Sequence, residues 1–329
     1  MLGAYARRMK AVVFARYGTP DVLELRELAP PTPGDGEVLV RVRAASVNDW
    51  DWALLHGTPF LNRLSSGLRR PKRQILGSDI AGQVEAVGPN AKRFRPGDEV
   101  FGDLSGRWGG FAEYVCAPEE ALALKPAGLT FAEAAAVPQA AMLAVQGLRD
   151  KGRLREGQTL LVNGAGGGVG TFAVQIAKLY NAETTGVDSP EKLDLLRSLG
   201  YDHVLDYTRQ DFTALERRYD LILDVKTNRS AFAYLRALYP RGAYVTVGGS
   251  TGRLLQVALV GLALPPLSKK RLRVVALKPN KDLGYMTELI EAGNVRPVID
   301  SLYPLNDLAA AMKRFGESKH RGKIVITMD

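Results

Sequence analysis

A chain of 329 residues, 46% of them apolar, is long enough for two domains with sizeable cores, and its formal net charge is +9. Its single cysteine, Cys116, excludes an internal disulfide and any multi-cysteine zinc site, and it points to a reducing, cytoplasmic setting. No low-complexity tract, internal repeat or run long enough to span a bilayer stands out.

Met1 to Arg8 is short and has no apolar centre, so it does not read as a signal peptide. Met9-Lys10-Ala11-Val12-Val13 begins the first strand. Up to about residue 130, short β-like runs (Val38 to Val42, Ile80 to Val87, Glu99 to Phe101) alternate with turns such as Pro33-Gly34-Asp35-Gly36 and Pro96-Gly97-Asp98. This texture predicts a compact, barrel-like β domain.

The pattern changes at Leu160-Leu161-Val162-Asn163-Gly164-Ala165-Gly166-Gly167-Gly168-Val169-Gly170, an apolar run that enters a glycine-rich turn. A helical pattern follows from Val169 to Leu179. Strand, tight turn and helix start together offer backbone N–H groups and a helix dipole to a phosphate. Two registers are open: G-x-G-x-x-G with Ala165 in place of its first glycine, or G-x-x-G-x-x-G through Gly164, Gly167 and Gly170.

Downstream, Glu183 to Asp188 reads as a strand ending in an acid, and Pro190 to Leu199 as a helix stopping at Gly200. His203 to Tyr207, Asp220 to Val225 and Ala243 to Gly249 give three more strands, with a helical pattern over Ala231 to Leu238. Apolar strands alternating with helices predict a doubly wound parallel sheet, with a nucleotide at the strands' carboxyl ends. The apolar run Leu254 to Leu267 reads as a buried or interface helix, as a pocket wall, or as a membrane contact too short to span a bilayer. The segment from Lys313 to Ile326 ends in a strand that can return to complete the first domain.

Basic residues gather at Arg63, Arg69, Arg70, Lys72 and Arg73, and again at Lys269, Lys270, Arg271 and Arg273. They read as solvated surface, or as a field that draws an anionic cofactor or substrate. No aromatic-interleaved basic motif supports a nucleic-acid partner.

Several motifs in order carry a family resemblance: Leu76-Gly77-Ser78-Asp79-Ile80-Ala81-Gly82, Val84-Glu85-Ala86-Val87-Gly88, Phe94 to Gly102, Gly110 to Val115, Ala136-Val137-Pro138, the glycine loop, and Arg321-Gly322-Lys323-Ile324-Val325. From Met9 onward the chain resembles the medium-chain dehydrogenase/reductase superfamily, in its zinc-free quinone oxidoreductase branch. The resemblance implies an α/β protein. Its Rossmann dinucleotide-binding domain, residues 134–278, would join a β-rich, GroES-like catalytic domain, residues 1–133 and 279–329. It favours the G-x-x-G-x-x-G register.

Zinc-dependent relatives use a cysteine and a histidine where this chain has Asn48 and Ser78, so no metal is expected. Asn48 and Asp51 match the N-x-x-D pattern of the zinc-free branch. Asn48 can donate to a carbonyl or enolate oxygen. Asp51 either shares in catalysis or satisfies nearby loop N–H groups. His56 either supplies a proton or is an ordinary loop histidine. Phe60 lies near where enoyl-thioester reductases carry a tyrosine acid, and Leu143 stands where the family has a threonine near the nicotinamide.

For the cofactor, Asp188 suits the ribose diol of NADH. Ser189, Lys192 and Tyr207 match positions used around the 2′-phosphate of NADPH, which is the expected cofactor with NADH left open. Gly164, Gly167, Gly168, Val169 and Gly170 would hold the pyrophosphate, and Asn228, Gly248 and Gly249 would line the cofactor cleft. The expected reaction is hydride transfer to quinones or other electron-poor α,β-unsaturated carbonyls. The alternatives are an alcohol or enone (enoyl) reductase of the same fold, and a cofactor-binding protein with little catalysis. Relatives dimerise through the last Rossmann strand, here Leu272 to Leu277, so a homodimer is expected.

Overall fold

A computed structural model describes residues 8–60, 62–264 and 268–328. Most of the N-terminal Met1–Arg8 segment, and Pro265 to Leu267 at the end of the apolar run, lie outside the described residues. The chain forms two compact units. One runs through Gln139 and includes Pro279–Thr287 and the chain from Ile299 onward; the other comprises Ala140–Lys278 and Glu288–Val298.

The first unit opens with β1 (Met9–Phe14) and β2 (Leu23–Leu28), an antiparallel pair. It continues with β3 (Glu37–Ser46), β4 (Asp79–Val87), β5 (Glu99–Asp103), β6 (Tyr114–Pro118) and the two-residue β7 (Ala123–Leu124). β3 carries the apolar residues Val38, Val40 and Val42, which pack with Ile80, Val84, Val100 and Phe111 in one core. β2 was not legible in the sequence, because its Leu-Glu-Leu-Arg-Glu-Leu is mostly exposed and shows no buried face.

The second unit holds β8 (Thr159–Asn163), β9 (Glu183–Asp188), β10 (His203–Asp206), β11 (Tyr219–Asp224), β12 (Leu238–Thr246) and β13 (Arg271–Val274). They form one parallel sheet in the order β10-β9-β8-β11-β12-β13. This is the doubly wound arrangement, whose order reverses beside β8 and so makes the carboxyl end of β8 the natural ligand position. The expected strand Leu272 to Leu277 is shorter than predicted. β12 ends at Thr246, so after the Val275 N–H donates to the Thr246 carbonyl no partner strand remains. The apolar run becomes a helix, Thr251–Ala263, with Val257 buried and Leu255, Leu259 and Leu262 exposed. The helix expected over Pro190 to Leu199 begins as a 3-10 turn, Pro190–Lys192, and becomes α-helical over Leu193–Ser198.

β14 (Ile299–Pro304) and β15 (Lys323–Thr327) return to the first unit. β15 pairs antiparallel with β3, Val325 opposite Ser46, and the sheet reads β14-β15-β3-β4-β5-β7 with β6 also on β3. The carboxyl-terminal strand is therefore an interior member of the first unit's sheet.

Candidate cofactor and active sites

In the second unit, the turn after β8 is fixed by its own backbone. The Gly164 and Ala165 N–H groups both donate to the Val187 carbonyl, at 2.9 and 3.1 Å. Gly164 has φ +84, a left-handed conformation that glycine adopts without penalty. Gly167 then caps the helix Gly168–Lys178 in extended conformation. The first N–H groups of a helix have no carbonyl within it to bond, so those of Gly168, Val169 and Gly170 are placed to hold an anion. A Cβ on Gly170 would stand 2.4 Å from the Ala165 carbonyl oxygen. At Gly167 it would meet only the Gly164 oxygen, at 3.6 Å. The loop is thus a tight cradle with one open side, which fits a pyrophosphate.

The acid at the end of β9 faces this loop. The Gly166 N–H donates to Asp188 Oδ2 at 2.7 Å, and the Ser189 N–H donates to Oδ1 at 2.9 Å. Lys192 is buried across the loop, its Nζ 3.6 Å from Asp188 Oδ1, and burial lowers the pKa of its ammonium. Ser189 is buried beside it, whereas Tyr207 is half exposed, its N–H donating to the Asp188 carbonyl at 3.3 Å. Asp188, Ser189, Lys192 and Tyr207 therefore lie together, with the Asp188 carboxylate engaged by backbone donors.

At the ends of β11 and β12, Gly248 and Gly249 form a turn against Thr227, and Asn228 is exposed next to it. This region contains residues that sequence reasoning missed. Asp224 is fully buried and accepts from Asn163 Nδ2 (2.8 Å), the Lys226 and Thr227 N–H groups (both 2.9 Å) and the Tyr244 hydroxyl (2.8 Å). It ties the ends of β8, β11 and β12 together. The Thr227 hydroxyl bonds Thr246 and the Gly248 carbonyl. Lys226 lays its chain over Gly164, Cγ 3.4 Å from where a Cβ would stand, and adds a cation beside the cradle. Lys226 had a signal: it is a basic residue two positions after the end of β11.

In the first unit, Asn48 caps the helix Asp49–His56, and Asp51 Oδ2 accepts from the Asn48 N–H at 2.9 Å. The other Asp51 oxygen accepts from the Gly77 N–H, also at 2.9 Å. Burial raises the Asp51 carboxyl to about 7. The Asn48 side chain lies in a buried polar cluster. Its Nδ2 faces the Ser78 hydroxyl at 3.3 Å and the Ser46 carbonyl at 3.4 Å, and its Oδ1 accepts from the Lys323 ammonium. Lys323 also donates to the Val47 carbonyl at 3.0 Å and lies 3.8 Å from Asp79 Oδ2. Asp79 stands opposite Asp103 across β4 and β5. Burial raises both carboxyls, Asp79 to about 8, and lowers the Lys323 ammonium.

His56 stands apart from this cluster. It is half buried, its ring 4.1 Å from that of Trp52, and its Nδ1–H donates to the Trp52 carbonyl at 2.9 Å. That bond leaves Nε2 as the nitrogen for proton exchange.

At the two positions where zinc-dependent relatives carry ligands stand an amide and a hydroxyl, Asn48 and Ser78, and the Lys323 ammonium donates to Asn48. This set does not suit zinc, which binds thiolate, imidazole and carboxylate. Among the described residues no group of three or more His, Cys, Asp or Glu could hold a metal, and no helix is long and apolar enough to cross a membrane.

Comparison with known proteins agrees with this architecture. Residues 34–127 match the alcohol dehydrogenase GroES-like domain, and residues 199–326 match a family described as zinc-binding dehydrogenase. The chain is 33% identical to a 2-methylene-furan-3-one reductase of Solanum lycopersicum, covering 97% of this chain and 79% of that protein. It is also 33% identical to a quinone oxidoreductase of Pseudomonas aeruginosa, covering 96% and 99%. The solved structure of the quinone oxidoreductase from Coxiella burnetii superposes with a TM-score of 0.87 at 26% identity, covering 98% of this chain and all of that one. With its six-stranded nucleotide-binding sheet and its GroES-like unit, the chain belongs to the medium-chain dehydrogenase/reductase superfamily, in the quinone oxidoreductase branch.

Proposed function

We propose that the protein is a metal-independent, NADPH-dependent reductase of quinones and other electron-poor α,β-unsaturated carbonyls. The observation that carries the metal-independent reading is the buried polar cluster at Asn48 and Ser78, an amide and a hydroxyl where zinc-dependent relatives carry ligands, with the Lys323 ammonium bonded to Asn48. The names of the tomato and Pseudomonas relatives support the two substrate classes. When bound, the reduced nicotinamide supplies the hydride. Gly164, Gly167, Gly168, Val169 and Gly170 hold the pyrophosphate; Asn228, Gly248 and Gly249 line the rest of the cofactor site. Asn48, oriented by Lys323, and Asp51, which anchors the helix bearing His56, set the catalytic segment. His56, when protonated on both ring nitrogens, gives the Nε2 proton to the oxygen left negative by hydride addition and takes a proton back from solvent.

NADPH is favoured over NADH because the Asp188 carboxylate is turned to Gly166 and Ser189, while Lys192, Lys226, Ser189 and Tyr207 offer charge and hydroxyls to a 2′-phosphate. The β-rich unit is the catalytic domain and the parallel-sheet unit the cofactor domain. The outer edge of β13 pairs with no other strand among the described residues, which supports a homodimer formed by pairing two such edges. The single cysteine, Cys116, leaves no internal disulfide to form, which supports a reducing, cytoplasmic setting.

Steady-state oxidation of NADPH by panels of quinones and enones, beside reduction of NAD+ or NADP+ by alcohols, tests the reading. Turnover of quinones or enones is expected; tight NADPH binding without turnover of any acceptor overturns it. For the cofactor, Lys192→Ala is expected to raise the KM for NADPH about tenfold relative to that for NADH, the worth of roughly one charge-assisted contact. An unchanged ratio removes Lys192 from the phosphate site.

A further inference from the structure

No Asp or Glu occurs between Asp51 and Asp79, a stretch that contains Arg63, Arg69, Arg70, Lys72 and Arg73. The same stretch holds three of the largest exposed apolar side chains of the first unit: Phe60 is 63% exposed, Leu64 65% and Leu68 54%. A defined backbone presents them. The Gly67 N–H donates to the Arg63 carbonyl at 2.9 Å, the Lys72 N–H to the Ser66 carbonyl at 2.8 Å, and the Tyr17 hydroxyl to the Gly67 carbonyl at 2.6 Å. Gly67 has φ +116, and a Cβ there would stand 2.1 Å from the Arg70 carbonyl oxygen, so Leu68-Arg69-Arg70 is the tip of a closed turn.

Two of the five cations serve the loop itself. The Arg63 guanidinium lies over the rings of Tyr17 (4.5 Å) and Phe60 (5.7 Å) and donates to the Gly57 and His56 carbonyls, and Arg73 donates to the Arg107 carbonyl. The other three, Arg69, Arg70 and Lys72, are exposed and have no carboxylate partner among the described residues. Some exposed arginines do sit beside an acid, as Arg26 does by Glu24, Arg197 by Asp194 and Arg209 by Asp206.

Apolar side chains beside unpaired cations on a folded loop are what an anionic bilayer surface binds. The apolar groups enter the acyl boundary while the cations stay among the headgroups. We propose that Phe60, Leu64 and Leu68, with Arg69, Arg70 and Lys72, form an interfacial anchor that docks the protein on an anionic lipid bilayer. Charge complementarity selects the anionic surface. The mixed apolar and basic character selects a bilayer over a soluble polyanion, which has no use for three exposed apolar groups.

The full chain is tested by co-sedimentation with phosphatidylcholine vesicles, with and without phosphatidylglycerol. Binding is expected only to the anionic vesicles, and at about 1 M salt, where charges are screened within roughly 3 Å, it should be lost. Arg69→Gln/Arg70→Gln should weaken binding about 30-fold, since each cation near such a surface contributes about fivefold. Leu64→Ser/Leu68→Ser should weaken it at least tenfold with the charge unchanged, and thermal unfolding should confirm that these exposed substitutions leave the fold intact. Absence of binding to anionic vesicles overturns the proposal. So does binding that the leucine pair does not affect and that heparin competes away, which would make the patch a polyanion site. Concentration-dependent self-association that the same leucine variant abolishes, without vesicle binding, would overturn it in favour of a second copy of this chain.

Discussion

Gly170→Ala is expected to destabilise the second unit by about 3 kcal/mol or more and to abolish nucleotide binding. The added methyl would stand 2.4–2.5 Å from the Ala165 carbonyl oxygen, carbonyl carbon and Cα. These are backbone atoms, and they cannot yield cheaply, because the Ala165 N–H is bonded to Val187 in the neighbouring strand. On the other side, the buried Tyr201 hydroxyl donates to the Gly170 carbonyl at 2.9 Å, which fixes the helix from behind. Relief therefore requires the helix start to move off the strand, and the anion cradle moves with it. A fall in Tm of about 6–12 °C corresponds to that loss for a unit of this size. Gly167→Ala is the control. Its backbone is extended and its new methyl meets only the Gly164 oxygen at 3.6 Å, so stability should stay within about 1 kcal/mol of the parent. The methyl projects into the open side of the cradle, and NADPH affinity measured by fluorescence titration should fall about tenfold. If Gly167→Ala binds NADPH as tightly as the parent, the pyrophosphate does not lie in this loop.

That contrast separates what was legible in the sequence from what was not. The glycine spacing was readable because the constraint is local: strand, turn and helix start lie within eleven residues, and each needs its own residue type. The parallel strands were readable for the same reason. β8 and β11 are apolar runs buried along almost their whole length, whereas β2, exposed on most positions, left no periodic signal. The seven-residue π-helix Gln146–Gly152 was also missed; helical periodicity gives no signature for a wider turn. Sites that depend on distant pairing were the least legible. Asp224 gathers donors from Asn163 and Tyr244, and Lys323 meets Val47, Asn48 and Asp79 from the far end of the chain. A weak signal existed for the second case. Lys323 is a cation opening the apolar strand Ile324-Val325-Ile326, and Asp79 is an acid opening the apolar strand at Ile80. Charges inside otherwise buried strands need a partner, although a single sequence does not say which one.

That pairing sets the second large effect. Lys323→Met is expected to destabilise the first unit by about 3–5 kcal/mol above neutral pH, because it leaves Asp79 buried without its cation. The loss should be smaller in mild acid, and the sign follows from the direction of the shifts. Asp79 is raised from 3.8 to about 8 and Asp51 to about 7, both chiefly by burial. The folded state therefore holds protons that the unfolded chain has already released, and these carboxyls make stability fall as pH rises from about 4 to about 8. Lys323 opposes that fall by stabilising the ionised carboxylates. Its own lowered pKa acts in the other direction only in the alkaline range, where the folded state loses its proton first and stability from that group rises with pH. Removing Lys323 should thus steepen the decline, with a loss of about 1 kcal/mol near pH 5, where Asp79 is neutral in either chain, and the full loss near pH 9. Denaturant unfolding at the two pH values measures the difference. Lys323→Met/Asp79→Asn, which removes both charges, should recover most of the alkaline loss, since a buried pair replaced together costs far less than one broken. An equal loss at both pH values, unrelieved by the second substitution, would mean that Lys323 acts by packing alone, and Asn48 would then owe its orientation to the shape of its surroundings rather than to the ammonium on its Oδ1.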